Sequence, residues 1–462
     1  MLQNDKHFHR TCLNLAQKYG TPAYIYDFDK ITHNVNAFKN AFSARKSLLC
    51  YALKANANLS LLKHLASLDC GADCVSINEV KRAILAGIPK YKIIYSGVGK
   101  SDEDLREALK CDILFINVES VEELLRVEKI AQDLGVVARI SVRVNPNIDA
   151  KTHPYISTGL RENKFGVDIE CAKKMFIYAK NSAHLQPIAA HFHIGSQLLD
   201  LEPITQSAEK IVALIRGLIA LKIDLKFIDV GGGLGIAYND EKIIDLNDYA
   251  QGILAQLKGL DLTIICELGR RIVGDCGVLL ARILYEKQNA FKRFCIVDAA
   301  MNDLIRPALY GAKHRVCYIP SLRGDLSPKQ STNPKMYCHD FAIAKSRNDE
   351  SSTIPELLQD SAPLLEKCDI VGPICESSDY LAKDIALPRT NRGDIIAILD
   401  CGAYGFSMSS NYNSRLKCAE IAIQNGADFV IRMRESFDES IANELRCLDL
   451  RKNGGQNDKK AK

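Results

Sequence analysis

Between residues 48 and 267, eight short apolar runs alternate with stretches of helical periodicity, a rhythm that few folds accept. The runs are LLCYAL from Leu48, DCVSI from Asp73, KIIYS from Lys92, ILFIN from Ile113, RISVRV from Arg139, IAAHFHI from Ile188, KFIDV from Lys226 and LTIICE from Leu262. Helices fit between them: SVEELLRVEKIAQDL, starting at Ser120, places apolar residues at helical spacing behind a serine N-cap. Eight βα units over about 230 residues predict a (β/α)8 barrel across 29–285, with its functional side chains gathered where strands end. Lys54, His193, the glycines from Gly231 and Glu267 fall at or just after such ends, and Asp73 lies at the second run.

From about Glu286 the texture changes. Strand-like pieces (FCIVDAA, DIVGPIC, DIIAILDCGAYG, FVIRMRES) follow one another without long helices, which predicts an all-β sandwich- or barrel-like domain over 286–435, with residues 1–28 associated with it. Residues 321–363 carry Pro, Ser, Asn and Asp in excess and read as a mobile insertion, bounded at 316–367. Residues 436–462 are expected to form a helix and a disordered, lysine-rich tail.

Composition excludes several classes. With 47% hydrophobic and 25% charged residues and a net charge of +4, the chain matches ordinary globular proteins, and its basic residues are interspersed with acidic ones rather than arrayed for nucleic acid. Sixteen cysteines occur without a CxxC or a cysteine-histidine cluster of zinc spacing, so free thiols in a reducing cytoplasm are expected, and no metal. The N-terminus lacks a signal-peptide core and no apolar run reaches membrane-spanning length, so neither export nor a membrane is expected.

A lysine after a strand is ordinarily a solvated loop residue, but an amine at a strand mouth can leave water, lower its pKa and form an imine with an aldehyde. Lys54 is placed for that. VGGGLG, Val230 to Gly235, lets backbone approach an anion without Cβ atoms in the way, and after the seventh strand a phosphate is favoured over a simple tight turn. His191 and His193 share a strand face, which could hold a metal, but no third ligand is evident; His193 reads better as a flat ring stacked on a planar cofactor, and His191 as a core histidine. Glu267 closes a buried-looking strand with Arg270 three residues on, so an ion pair is the ordinary reading, and a carboxylate that keeps a pyridine nitrogen protonated is the other.

Together YALKAN, HFHIGSQ, GGGLG, the ExGR run at Glu267 and GPICESSD from Gly372 resemble the fold-type III pyridoxal phosphate-dependent decarboxylases, from about Pro22 to Arg434 except the insertion. Within that family the chain resembles the members acting on meso-diaminopimelate. The resemblance implies pyridoxal 5'-phosphate as cofactor, attached at Lys54, with His193 on its ring, Glu267 at its pyridine nitrogen, and Asp73 and Arg143 beside it. Ser196, Gly231, Gly232, Gly233, Leu268, Gly269, Arg270 and Tyr404 would surround the phosphate. It also implies a homodimer in which Cys375, a proton donor, and Glu376 reach the neighbouring subunit's site.

Arg306 and Tyr310, four apart in RPALY, share a helical face and could clamp a carboxylate; local sequence alone favours a surface pair beside a proline, and the resemblance reverses that. With Arg270 and Tyr404 nearby and Glu376 for an ammonium, the implied reaction is decarboxylation of meso-diaminopimelate to L-lysine and carbon dioxide. A related decarboxylase of ornithine or carboxynorspermidine, or a non-enzymatic cofactor carrier, is the alternative. Four departures from the family pattern, Leu268, Asn78, Ala300 and Leu416, flank functional residues; Ala300 would be strained at positive φ, and Leu268 would loosen the turn aiming Glu267.

Overall fold

The computed structural model describes residues 6–149, 164–321 and 364–452. Helix α1 (Lys6–Tyr19) leads into β1 (Ala23–Asp27), and then come β2 (Ser47–Ala52), β3 (Gly71–Cys74), β4 (Ile93–Tyr95), β5 (Phe115–Val118), β6 (Ala138–Arg143), β7 (Leu185–His191), β8 (Phe227–Asp229) and β9 (Thr263–Cys266). Strands β2 to β9 close a parallel barrel, with β2 pairing both β3 and β9. The eight expected strands are all present, several displaced by two or three residues: β3 begins at Gly71, and β7 ends at His191 rather than carrying His193.

Local chemistry supports the helices between them. Ser120 accepts the Glu123 N–H at 3.0 Å, the helix Val121–Leu134 buries Leu124, Val127, Ile130 and Ala131, and Gly135 ends it at a φ of 66°.

Strand alternation sorts the side chains into two shells. Tyr51, Ala72, Ile93, Ile116, Ile140, Ala190, Ile228 and Ile264 face the helices, while Cys50, Ile94, Phe115, Ala189 and Ile265 form a separate apolar cluster inside the barrel. By the same alternation Asp73, Asn117, Ser141, His191, Asp229 and Glu267 point inward near the strand ends, and all are buried. The barrel is thus greasy at its floor and ionisable at its mouth.

The second layer is a nine-stranded mixed sheet. Its other strands are β10 (Gly277–Gln288), β11 (Arg293–Val297), β12 (Val316–Ile319), β13 (Glu366–Val371), β14 (Tyr380–Leu387), β15 (Ile395–Ile398), β16 (Ala419–Gln424) and β17 (Ala427–Arg432). The path runs β14-β13-β11-β10-β1-β16-β17, and β15 bridges β10 and β12. Helix α1 covers one face, burying Phe8, Cys12, Leu15 and Ala16 against Ile25, Leu280 and Ile421. Of the expected insertion, 322–363 lies outside the described residues, as do 453–462 of the tail; a helix spans Phe437–Lys452. The fifteen cysteines of the described residues are free thiols, and among those residues no helix is long and apolar enough to cross a membrane.

Candidate active site

A cavity of about 740 Å³ opens at the C-terminal mouth of the barrel and extends to the second sheet domain. Lys54, Arg143, His193, Ser196, Glu267, Arg270, Arg306, Tyr310 and Tyr404 all line it. Asp73 lies just beneath. Cys375 and Glu376 are exposed and elsewhere: the Cys375 N–H donates to Asn413 Oδ1 at 3.2 Å, and Glu376 accepts from the Tyr412 hydroxyl at 2.8 Å.

Lys54 stands on the 3-10 turn Leu53–Ala55 immediately after β2, with Nζ 3.3 Å from Asp73 Oδ2. Burial pushes the pKa of its ammonium down, but the Asp73 and Glu267 carboxylates push it up further, and the net displacement is upward. The lowered pKa expected from sequence is therefore reversed, because the strand mouth is acidic as well as dry. Asp73 in turn accepts from Ser96 Oγ at 2.9 Å, and Ser96 accepts from Asn117 Nδ2 at 2.9 Å.

Glu267 does not pair with Arg270. Its Oε2 lies 3.4 Å from His191 Nε2, with Asp229 alongside, so His191, Asp229 and Glu267 place one ligand-type atom each within 4.8 Å of one another. The third group near His191 that sequence did not reveal is thus a carboxylate pair. Burial works against the Glu267 charge, but His191 and then Lys54 hold its pKa below the ordinary carboxylate value. Asp229 goes the other way: burial and the adjacent Glu267 charge raise its pKa well above ordinary, so the two acids share one negative charge.

His193 lies past the strand with its Nδ1 accepting the Gly232 N–H at 3.1 Å, and burial followed by the Lys54 and Arg143 charges keeps the ring neutral. The Gly231 N–H likewise goes to Asp229 Oδ1 at 3.0 Å. Two of the three glycine N–H groups are therefore directed at side chains of this protein rather than outward. The run serves close approach: a Cβ on Gly231, at a φ of 66°, would sit 2.4 Å from the Phe192 carbonyl oxygen, and one on Gly233 2.3 Å from that of Gly195.

Arg143 is held by Glu119 through contacts of 3.0 and 3.2 Å and lies over the Phe165 ring. Arg270 is buried, donating to Tyr238 Oη at 2.6 Å and Ser196 Oγ at 2.9 Å, with Tyr404 stacked at 4.8 Å. Tyr404 has a φ of 58°, pinned by its N–H to the Ala55 carbonyl at 2.8 Å. Arg306 opens the short helix Arg306–Tyr310 and lies over the Tyr238 ring, 4.6 Å from its centroid. Neither Arg270 nor Arg306 pairs with a carboxylate among the described residues. Two buried guanidinium groups on one tyrosine give the cavity the chemistry to receive anions.

Ser96, Asn117, Glu119, Asp229, Tyr238 and His314 belong to this constellation and escaped sequence reasoning. For Asp229 a usable signal existed, the inward register of KFIDV. For Tyr238 and His314, both on loops, none did.

The four family departures occupy different settings. Ala300 is buried without a positive φ, Leu268 is 1% exposed within the main core, Asn78 is exposed on the helix Ile77–Leu85, and Leu416 is half-buried.

A phosphorylated pyridine aldehyde fits this set: an amine, a flat neutral ring, a buried carboxylate for a protonated nitrogen and a guanidinium beside a serine hydroxyl. Residues 28–274 match the family model of the pyridoxal-dependent decarboxylase pyridoxal binding domain. The chain is 52% identical over 436 residues to a diaminopimelate decarboxylase of Helicobacter pylori, covering 94% of this chain and 98% of that one. It is 53% identical over 435 residues to a diaminopimelate decarboxylase of Campylobacter jejuni, with 94% and 98% covered. The crystal structure of the Helicobacter pylori diaminopimelate decarboxylase complexed with L-lysine superposes with a TM-score of 0.82 at 52% identity, covering 94% of this chain and 99% of that one. The chain belongs to the pyridoxal-dependent decarboxylases, within the diaminopimelate decarboxylase family.

Proposed function

We propose that the protein decarboxylates meso-2,6-diaminopimelate to L-lysine and carbon dioxide, with pyridoxal 5'-phosphate as cofactor. The observation that carries the reading is the pair of buried arginines sharing Tyr238: one anion is the cofactor's phosphate, and the other must come from the substrate. Ornithine offers no carboxylate to the second arginine once its own is the leaving group.

When bound, pyridoxal 5'-phosphate supplies the electron sink for the charge left on the α-carbon as carbon dioxide departs. Lys54 Nζ is the point of covalent attachment and must first give up the proton that Asp73 and Glu267 help it hold. Glu267, ionised beside His191, stabilises a proton on the pyridine nitrogen, while protonated Asp229 avoids a second charge there. His193 presents a neutral face to the ring, and Arg143 and Asp73 flank it. Arg270 and Ser196 take the phosphate, with Leu268, Gly269 and Gly231 to Gly233 shaping the turns that bring them in. Arg306 and Tyr310 take the distal carboxylate, near Tyr404.

Cys375 and Glu376 act in the neighbouring subunit of a homodimer, Cys375 as proton donor to the α-carbon and Glu376 as counter-charge for the distal ammonium. Their exposure, outside their own chain's cavity, supports this sharing. The reading also places the enzyme in the cytoplasm.

The test is an assay of purified, cofactor-loaded protein with meso-diaminopimelate, following carbon dioxide and L-lysine. Equal turnover of ornithine or carboxynorspermidine, or none of any, would sink the reading.

A further inference from the structure

We propose that His314 is a positioning residue for recognition of the distal carboxylate: a neutral imidazole behind Arg306 that aims the guanidinium without cancelling its charge. The proposal rests on the reading of Arg306 as the group that takes that carboxylate.

Arg306 is 6% exposed and His314 5% exposed. Arg306 Nη1 donates to His314 Nε2 at 2.8 Å, and His314 Nδ1 lies 2.9 Å from the Leu399 carbonyl oxygen. The second contact fixes the tautomer. A carbonyl can only accept, so the ring hydrogen is on Nδ1 and Nε2 offers its lone pair to Arg306. Tyr238 completes the mount, carrying the guanidinium 4.6 Å above its face and meeting the His314 ring at a centroid distance of 5.2 Å and an angle of 79°. The Tyr238 ring supports the guanidinium from one face while His314 fixes one of its N–H groups.

The choice of residue matters because of what stands nearby. Beyond burial, the groups acting most strongly on the Arg306 charge are Tyr238, Arg270, Cys401 and Tyr404, and the hydrogen-bond partner shown for it is a histidine rather than a carboxylate. An aspartate at 314 would orient the guanidinium equally well but would satisfy its charge internally, leaving little for a ligand. An apolar residue would leave a buried donor unmet and free to swing. A histidine stays neutral there, since burial and the neighbouring Arg306 push its pKa down to about 3. His314 thus delivers an aimed and uncompensated positive charge to the cavity.

The test uses cofactor-loaded wild type, His314→Leu, His314→Gln and Arg306→Gln. Two ligands are compared by calorimetry: L-lysine, which carries the carboxylate, and cadaverine, which lacks it; KM and kcat for meso-diaminopimelate are measured beside them. For His314→Leu, L-lysine affinity should fall and KM rise about ten- to hundredfold, cadaverine affinity should move less than about twofold, and kcat should fall much less than KM rises. His314→Gln, which keeps a neutral acceptor, should recover most of the L-lysine affinity and carries the comparison if the leucine variant does not fold. Parallel loss of both ligands, or unchanged L-lysine affinity, overturns the proposal. A wild type indifferent to the carboxylate, or Arg306→Gln retaining the preference, removes the reading of Arg306 and the proposal with it. A preference that Arg306→Gln abolishes and both His314 variants retain removes the proposal alone.

Discussion

His191 Nε2 sits 3.4 Å from Glu267 Oε2 inside the barrel mouth, with Asp229 against the same carboxylate. One imidazole therefore faces two acids, and burial allows only one of them to ionise. Glu267 takes the charge because His191 and Lys54 are on its side; Asp229 keeps its proton.

That division predicts unequal mutants. Asp229→Asn mimics a protonated acid and can still accept the Gly231 N–H, so kcat should stay within about threefold of wild type, whereas Glu267→Gln should lower kcat about hundredfold or more. Equal losses in steady-state assays would show that the charge is not confined to Glu267.

Lys54→Ala should abolish covalent cofactor attachment and the accompanying visible absorbance while leaving the thermal unfolding of the apoprotein nearly unchanged. A spectrum like that of the wild type would remove Lys54 from its role.

Asp73→Asn should lower the pKa of Lys54, since the Asp73 carboxylate is the largest of the charges raising it. Cofactor reloading of stripped enzyme needs the free amine, and each unit of lowered pKa gives about tenfold more of it at neutral pH. Stopped-flow absorbance should show the pH midpoint of reloading moving down in the variant, and a midpoint moving up would contradict the electrostatic account.

His314 predicts a pH dependence of stability. Its folded pKa is about 3 against an ordinary 6.5, so between those values the unfolded chain binds the extra proton and stability falls as pH falls through that window. From pH 6.5 to 5, wild type should lose about 2 kcal/mol more than His314→Gln, read from urea midpoints. Equal losses would mean that the imidazole is protonated in the fold.

Mixing two inactive proteins tests the shared site. Lys54→Ala and Cys375→Ala subunits, dissociated and reassembled together, should regain about a quarter of wild-type activity, because half the dimers are hybrid and each hybrid has one intact site. No recovery, with hybrid dimers verified by mass, would place both residues in one chain's site.

The barrel was legible because its rhythm is local: a run, a cap, a helix. Ser120 and Gly135 announce one helix unaided. Lys54, His193 and Glu267 were legible because they fall at strand ends. What sequence could not give was depth and partnership. Glu267 has Arg270 three residues away yet finds His191, because residues on neighbouring turns of a strand exit point apart while inward positions of separate strands converge. Strands β1 and β12 escaped because their pairing partners are distant in the chain, β1 lying between β10 and β16 and β12 beside β15; β10, β14 and β16 also escaped, although each pairs with a strand adjacent in sequence. Tyr238 and His314 escaped because loops place them.

The position of β1 bears on when the enzyme comes into being. Residues 23–27 lie between β10 and β16, in register with 419–423. On the ribosome, that first strand waits with one edge bare until nearly the whole chain has emerged, so closure of the sheet is among the last long-range events of folding. Truncated products would then accumulate with an exposed β1 edge, a ready target for quality-control proteases.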